Sequence, residues 1–223
     1  MTRLKRVATA WAMEKKEKKF IMKPRGSHKR DESMPLLVII RDVLKLGDSA
    51  REARQIINGG NVLLDGKKVR NVRQGVGLFD TLSVAGKNYR MLPGVKMRLV
   101  EIEGKEADRK ICKIAGKKTL RGGRTQLNLH DGRNIIVKSG NYSVNDSLLI
   151  KVPSQEIIGS VKFEPGATVM VISGKHSGRI AKLEKVEKGL LKRAWLEIGG
   201  EKTETPLKLV VAVGKEEPLI RTA

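Results

Sequence analysis

The chain has few of the residues on which disulfides, metal sites and catalytic centres depend. Its only cysteine, Cys112, excludes an internal disulfide and suits a reducing compartment. The three histidines, His28, His130 and His176, stand in separate contexts without the spacing of metal ligands. No nucleophile, histidine and acid are grouped, and no pair of carboxylates is placed for acid–base chemistry. We therefore expect no catalytic residues, no metal, no cofactor and no small-molecule substrate.

Long apolar runs and aromatic residues are scarce as well. The longest apolar run, residues 36–40, is far shorter than a membrane span, and the N-terminal stretch lacks the apolar core of a signal peptide. We expect no membrane partner. Aromatics make up 3% of the chain, and most of them are needed for hydrophobic cores. This scarcity argues against a protein that holds single-stranded nucleic acid chiefly by stacking bases on its rings.

What the chain has in excess is positive charge. It carries 46 Lys and Arg against 24 Asp and Glu, a formal net charge of +22. A compact body with this surplus repels itself unless an anion surrounds it, and nucleic acid is the commonest polyanionic partner. Residues 1–30 hold eleven Lys and Arg against two Glu. We interpret residues 1–35 as a basic extension that lies along phosphates and is not ordered in the free protein.

The segment after Pro35 predicts two short helices followed by a β-hairpin. Apolar residues recur at helical spacing, and Gly47 is placed to end the first helix. Ser49 and Glu52 form a capping box at the start of the second helix. The Asp-Gly pair at 65–66 stands between two apolar runs, which is a strong signal of a two-residue hairpin turn. Arg and Lys residues line one side of this segment.

Beyond about residue 82 the helical periodicity disappears and short strands alternate with turns, which favours an all-β barrel or sandwich. Pro165-Gly166 indicates a boundary, after which the chain suffices for one small barrel. The loop from Gly174 to Arg179 lies between two strands of that barrel. Its glycines at 174 and 178 let the backbone turn tightly and approach phosphates. The basic loop 121–124, with two central glycines, has no nucleotide fingerprint.

Together these patterns predict an α+β, multidomain and mostly β fold. The expected domains are a basic N-terminal extension (1–35), a helix-helix-hairpin domain (36–95), a central all-β domain (96–165), a small C-terminal β-barrel (166–213) and a loose C-terminal tail (214–223).

Two of these segments resemble known RNA-binding modules. Residues 36–70 resemble the alpha-L RNA-binding motif of several ribosomal proteins and RNA-modifying enzymes. The loop 174–179 and the two residues after it resemble a KOW motif, a small RNA- or protein-binding barrel. The order of basic arm, alpha-L motif, β-domain and KOW motif is similar to the fourth small-subunit ribosomal protein family of archaea and eukaryotes. The residues that carry the resemblance are Leu4-Lys5-Arg6, Trp11, Lys23-Pro24-Arg25, His28-Lys29, Pro35-Leu36-Leu37, Arg51, Glu52, Arg54, Ile57, Val62-Leu63-Leu64-Asp65-Gly66-Lys67, Tyr142-Ser143-Val144-Asn145-Asp146-Ser147 and Gly174 to Ala181.

The resemblance implies a non-enzymatic structural constituent of the small ribosomal subunit, located in the cytoplasm on the ribosome. Its partners are the ribosomal RNA of the small subunit and neighbouring small-subunit ribosomal proteins. RNA contacts are expected mainly with the phosphate backbone, so that RNA shape supplies the specificity. The candidate RNA-binding residues are Lys5, Arg6, Lys15, Lys16, Lys18, Lys19, Lys23, Arg25, His28, Lys29 and Arg30 in the extension; Arg41, Lys45, Arg51, Arg54, Lys67, Lys68 and Arg70 in the alpha-L domain; and Gly174, Lys175, His176, Gly178 and Arg179 in the KOW loop.

Two other functions stay open on the sequence. The first is an RNA-modifying enzyme with an alpha-L targeting module, although residues 96–213 offer no catalytic constellation. The second is a free translation or transcription factor that binds a partner through its KOW domain. The charge fits a free factor less well, because a protein of charge +22 in the cytosol would bind nucleic acid nonspecifically.

Overall fold

The computed structural model of the protein describes residues 2–3, 11, 20–138, 140–189 and 191–222. The chain forms two compact units: the first comprises residues up to Leu92 together with Lys96–Asp108, and the second comprises Pro93–Val95 together with residues from Arg109 onward. Antiparallel strands dominate both units, so the predicted α+β, mostly β fold is confirmed. Among the described residues, no helix has the length and apolar character needed to cross a bilayer.

The first unit combines short helices with short strands. A five-stranded sheet has the order β5-β4-β7-β8-β9, while β1 pairs with β2 and β3 pairs with β6. The first helix continues from α-helical into π-helical geometry over Ile39–Val43. The elements are β1 (Thr2–Arg3), β2 (Phe20–Ile21), β3 (Ser33–Pro35), α1 (Leu36–Val38), α2 (Ala50–Asn58), β4 (Leu63–Leu64), β5 (Lys67–Lys68), β6 (Gly75–Gly77), β7 (Thr81–Val84), β8 (Lys87–Leu92), β9 (Arg98–Ile102) and α3 (Gly104–Ala107), with a 3-10 turn at Arg30–Glu32.

The capping box predicted for the second helix is confirmed at the start of α2. The Ser49 hydroxyl accepts a hydrogen bond from the Glu52 N–H at 3.2 Å and donates one to the Glu52 carboxylate at 2.8 Å. The same carboxylate accepts from the Asp48 N–H at 3.0 Å. Ala53 and Ile57 are fully buried on the inner face of α2. The cap therefore fixes where the helix begins, and the apolar stripe fixes which face turns outward.

Two turns of the first unit decide how the helices and the hairpin connect. Asp65 (φ 48°) and Gly66 (φ 74°) form the predicted hairpin turn between β4 and β5. The predicted stop of the first helix at Gly47 is wrong, because Lys45 leaves the helix earlier with φ 52°. Gly47 instead lies against α2, where a Cβ would stand 3.1 Å from the Glu52 Cβ. Close packing, and not the helix end, therefore explains this glycine.

Two strands that lie outside the predicted bounds of the alpha-L domain (36–95) pair with strands inside it. Ser33–Pro35, expected at the end of a loose extension, form β3, which is buried and pairs with β6. The strand β9, expected in the central domain, pairs along its whole length with β8. β3 and β6 are far apart in the sequence, so local patterns did not reveal their pairing. β8 and β9 are consecutive strands, and the predicted boundary at residues 95–96 falls in the short loop between them.

The second unit contains two five-stranded antiparallel sheets, with the orders β12-β11-β10-β13-β14 and β18-β17-β16-β15-β19. Each sheet has an apolar core of its own. The strands are β10 (Arg109–Thr119), β11 (Thr125–Leu129), β12 (Asn134–Val137), β13 (Ser147–Lys151), β14 (Ile157–Val161), β15 (Thr168–Val171), β16 (Ile180–Lys188), β17 (Lys192–Ile198), β18 (Glu201–Pro206) and β19 (Val210–Gly214), with 3-10 turns at Arg121–Gly123 and Leu207–Leu209.

A buried lysine joins the two sheets of the second unit. Lys113, on β10, is 7% exposed and donates hydrogen bonds to the carbonyl oxygens of Leu207 (3.0 Å) and Val210 (2.7 Å). The C-terminal tail, expected to be loose, also packs on this unit. The Leu219 N–H donates to the Val213 carbonyl at 2.9 Å, and Ile220 is 3% exposed. The buried Ile220 side chain thus anchors the C-terminal segment to the second unit.

Candidate nucleic-acid interface

Exposed cations cover the outer face of α2. Arg51 and Arg54 lie one turn apart on this helix, and both are exposed. Neither forms an ion pair within the described residues. The adjacent acid, Glu52, is occupied by the cap, and hydrogen bonds from Ser49 and from the Asp48 N–H lower the pKa of its carboxyl. The Glu52 carboxylate is thus held at the start of α2. Both guanidinium groups are therefore available to bind an external anion.

The β-hairpin adds three exposed cations. Lys67 and Lys68 are exposed on β5, the edge strand of the five-stranded sheet. Because successive strand residues point to opposite faces, their ammonium groups lie on opposite faces of the hairpin. Arg70 lies beside the C-terminal end of α2, with its Nε and Nη2 4.0 Å from where a Cβ on Gly60 would stand. A cation there is favourable because the helix C-terminus carries partial negative charge.

Arg41 and Lys45, both predicted to contact RNA, differ in their surroundings. Arg41 donates to both carboxylate oxygens of Asp42, from Nε at 2.9 Å and from Nη2 at 2.8 Å, and its side chain is 16% exposed. The hydrogen bond to Asp42 raises the pKa of Arg41, although burial opposes this. Lys45 is exposed and forms no ion pair within the described part of the chain. Of the two, only Lys45 offers an unneutralised charge.

The basic residues of the extension fall into two groups. Lys5, Arg6, Lys15, Lys16, Lys18 and Lys19 lie outside the described residues. Lys23, Arg25, Lys29 and Arg30 are described and exposed. Lys29 contacts Glu32 at 3.3 Å, but its side chain is 79% exposed. An ion pair so open to water is weak, and phosphate can replace its acid.

His28 does not belong to the exposed basic surface predicted from the sequence. Its side chain is 8% exposed, and its Nε2 lies 2.9 Å from an oxygen of Asp80, which is itself buried. A Cβ on Gly77 would clash with the His28 ring, so this glycine makes room for the imidazole. His28 is therefore part of the packing of the first unit, and we withdraw it from the candidate RNA contacts.

The loop 174–179 of the second unit combines an open part with a packed part. Gly174 (φ 97°) has open space around it, and Lys175 and Arg179 are exposed. Gly178 (φ 82°) is crowded, because a Cβ there would stand 2.7 Å from the Pro93 carbonyl oxygen. Close packing within the second unit therefore accounts for a glycine at position 178. His176 is half-buried, and its Nδ1 has no hydrogen-bond partner in the described structure.

A second basic hairpin was missing from the residues predicted to bind RNA. β10 and β11 extend to a tip at Arg121–Gly123, where both glycines have positive φ and open surroundings. Lys117, Lys118, Arg121 and Arg124 are exposed on it. The sequence did carry a signal, because no acidic residue occurs between Asp108 and Asp131. The hairpin pairing turns this acid-free stretch into a continuous cationic projection.

The structure brings together Cys112, His130 and Asp131, which the sequence analysis treated separately. Their candidate ligand atoms lie within 4.8 Å of one another. The Asp131 carboxylate already contacts the Lys110 ammonium at 2.9 Å and the Arg133 Nε at 3.3 Å. The His130 Nδ1 lies 3.2 Å from the Lys113 N–H. A metal ion would have to compete with two cations for this carboxylate, so the group fits a buried ion pair better than a metal site.

Asp131 makes the stability of the second unit dependent on acid. Burial raises the pKa of its carboxyl, but Lys110, His130 and the hydrogen bonds outweigh burial and lower the pKa to about 2, from an ordinary 3.8. The stabilisation is complete above about pH 4 and is lost as the pH falls towards about 2. We expect the difference in free energy of unfolding between the wild type and Asp131→Asn to shrink by about 2 kcal/mol over this range, measured by urea unfolding.

The control for this titration is Glu187→Gln, which removes an acid that is 43% exposed and paired with Lys185. Its effect on stability should stay small at every pH, since exposed pairs contribute little. An Asp131→Asn difference that stays constant between about pH 5 and pH 2 would contradict the assigned titration.

The comparisons with known proteins agree with the resemblance seen in the sequence. Residues 34–82 match the S4 domain, residues 85–157 match the ribosomal family S4e, and residues 165–194 match the KOW motif. A small ribosomal subunit protein eS4 from Methanothermobacter thermautotrophicus is 42% identical over 219 residues, which cover 94% of this chain and 90% of the relative. The chain belongs to the ribosomal protein S4e family.

Further members of the S4e family show the same full-length similarity. The relative from Methanocaldococcus jannaschii is 42% identical over 234 residues, covering 98% of this chain and 96% of its own. The crystal structure of the 30S ribosomal protein S4e from Thermoplasma acidophilum is 31% identical and has a TM-score of 0.75, covering 86% of this chain and all of that one. S4e proteins are structural and non-enzymatic, so the prediction that the chain is not an enzyme is confirmed. The alternative of an RNA-modifying enzyme is therefore set aside.

Proposed function

We propose that the chain binds and stabilises folded ribosomal RNA of the small subunit, mainly through the phosphate backbone. S4e membership supports a structural role in the ribosome. The observation that carries RNA binding is the set of exposed cations on the first unit without acidic partners in the described residues: Lys45, Arg51, Arg54, Lys67, Lys68 and Arg70. In this proposal the protein resides on the cytoplasmic ribosome, and neighbouring small-subunit proteins are its other partners.

The chemistry of this surface favours phosphate contacts over base reading. Lys and Arg side chains on the exposed face of α2 and on an edge strand are long and mobile, and they bind phosphate without reference to sequence. We therefore expect the three-dimensional shape of the RNA, and not base sequence, to decide which site the protein occupies.

The second unit extends the proposed RNA contacts. Lys175 and Arg179 in the 174–179 loop and the exposed cations of the β10–β11 hairpin are the groups that would reach phosphates. In domain terms, the extension (1–35), the alpha-L domain (36–95) and the KOW barrel (166–213) would supply RNA contacts. The central domain (96–165) would add the hairpin tip, and the tail (214–223) would have a packing role.

Sedimentation of ribosomal subunits tests the proposal. The tagged full-length protein, expressed in a related archaeon, should sediment with the small subunit and stay with it through a high-salt wash. Its position should shift to the top of the gradient after ribonuclease treatment. A free translation or transcription factor, the other candidate, would be released by the salt wash. A protein that sediments identically before and after ribonuclease would contradict both RNA-binding functions.

A further inference from the structure

A groove of about 370 Å³ opens on the first unit beside the outer face of α2. Phe20–Ile21 of β2 and the residues up to Arg25 form one wall. Leu37 and Val38 of α1 and Ala50 of α2 give it an apolar floor. Its volume falls within the ~300–1,000 Å³ range of pockets that hold small ligands. The groove is therefore large enough to hold one planar group with its substituents.

Backbone hydrogen bonds hold the walls of the groove in place. The Arg25 N–H donates to the Arg73 carbonyl at 2.7 Å, and the Gly75 N–H donates to the Arg25 carbonyl at 2.7 Å. On the other side of the same segment, the Leu37 N–H donates to the Val72 carbonyl at 3.1 Å. Residues 71–75 thus join the extension to α1. The groove is built by paired backbone and does not need a ligand to form it.

The rim of the groove is cationic. Lys23, Arg25, Arg54 and Arg73 line it, and none of them forms an ion pair in the described part of the chain. Arg41 also lines it but is neutralised by Asp42. No acidic residue is among the described residues that line the groove. Several cations that line one groove without a described counter-charge indicate an anionic ligand.

Phe20 supplies an exposed ring at the edge of this groove. The side chain is 48% exposed, although aromatic residues are scarce in the chain and most were expected in cores. Exposed aromatic rings beside cations are the usual platform for a nucleobase, because every base has a face that stacks. The apolar floor and the exposed ring suit a base, and the cationic rim suits its phosphate, so the groove matches a nucleotide better than it matches a free phosphate.

We propose that this groove binds one unpaired nucleotide of RNA, with its base on the apolar floor beside Phe20 and its phosphate between Arg25, Arg54 and Arg73. The inference rests on the proposed RNA-binding function and adds a site to it. The other exposed cations hold the backbone of folded RNA, whereas this groove recognises a base that has left the stack. Such a base occurs at bulges and loops, which is where proteins gain access to RNA bases.

Two synthetic RNA hairpins test the groove with the full-length protein. They share one sequence, except that one hairpin carries a single-nucleotide bulge containing 2-aminopurine. We expect the bulged hairpin to bind at least fivefold more tightly than the paired one, since stacking of one base contributes this much or more. Phe20→Ala should abolish that preference and leave binding of the paired hairpin unchanged. Arg73→Gln should weaken the bulged hairpin more than the paired one.

The matched control is Leu46→Ala, which truncates another exposed apolar residue of the first unit, 39% exposed and outside the groove. It should bind both hairpins like the wild type. Equal binding of the two hairpins by the wild type, or an unchanged preference in Phe20→Ala, contradicts the proposed nucleotide site but not the proposed RNA-binding function. Binding of neither hairpin overturns both. Preference for an acidic peptide that contains one Trp over the bulged hairpin would assign the groove to a protein partner and also overturn the proposal.

Discussion

Replacing Asp131 by Asn should lower the free energy of unfolding of the second unit by about 3–5 kcal/mol at neutral pH, because it leaves a buried charge without its partner. The Lys110 ammonium and the Asp131 carboxylate are 2.9 Å apart, and both side chains are 1% exposed. Asn keeps an acceptor oxygen but removes the negative charge. Lys110 must then either stay charged at a buried site that also holds Arg133, without the neutralising carboxylate, or lose its proton, and both are costly.

Urea unfolding followed by Trp195 fluorescence and circular dichroism measures this loss. Trp195 lies on β17, in the same unit as the ion pair. The control Lys202→Gln removes one partner of an exposed pair with Glu184, since the lysine is 68% exposed. It should cost less than about 1 kcal/mol. The double variant Lys110→Met with Asp131→Leu should recover most of the loss, since apolar replacement of a whole buried pair is often neutral. A cost below about 1 kcal/mol for Asp131→Asn would contradict the assigned pair.

Reversing the charge of Arg51 and Arg54 should weaken binding to in vitro transcribed small-subunit ribosomal RNA by on the order of 100-fold, since each charged contact contributes about 1.5 kcal/mol or more. The slope of log affinity against log salt should become shallower by roughly 1.5, because two fewer phosphates are neutralised. Both side chains are exposed, and the capping box and the buried Ala53 and Ile57 are left intact. The helix should therefore keep its circular dichroism. Filter binding at several salt concentrations gives both quantities.

The matched control for this pair is Lys87→Glu with Lys105→Glu. It changes the net charge by the same amount, on exposed residues of the same unit outside α2 and the hairpin. If binding followed net charge alone, both double variants would lose affinity equally. We expect the control to lose less than about tenfold, because its charges are not placed at phosphates. Native circular dichroism with unchanged affinity in the Arg51→Glu, Arg54→Glu variant would remove α2 from the interface.

The elements predicted correctly are those whose causes lie within a few residues. The hydrogen bonds of the α2 cap join residues three or four positions apart. The hairpin of β4 and β5 turns on only two residues, Asp65 and Gly66. Exposure of Arg51 and Arg54 followed from the helical period once the buried face was known. The S4e resemblance rested on the order of such local motifs.

Apart from the helix end near Gly47, the errors concern residues whose partners are remote in the chain. His28 looked like one more cation of a basic arm, but Asp80, 52 residues away, takes it out of the surface. Gly178 looked like a phosphate-approach glycine, but the nearby Pro93 carbonyl leaves no room for a side chain there and accounts for the glycine by packing. Arg73 was missed altogether, because only its backbone pairing with Arg25 brings it to the groove. A single sequence without pairings carries no signal for such contacts.

The sequence alone determined that the protein is a polycation, that it has neither internal disulfide nor catalytic constellation, and that the order of its local motifs is that of the S4e family. Charge, composition and short-range capping need no long-range information. The tertiary structure decided which cations remain available. It neutralised Arg41, buried His28, Lys110 and Lys113, and gathered Lys23, Arg25, Arg54 and Arg73 around one groove. The physical reason is that burial and ion pairing depend on groups that folding brings within a few ångströms, whatever their distance along the chain.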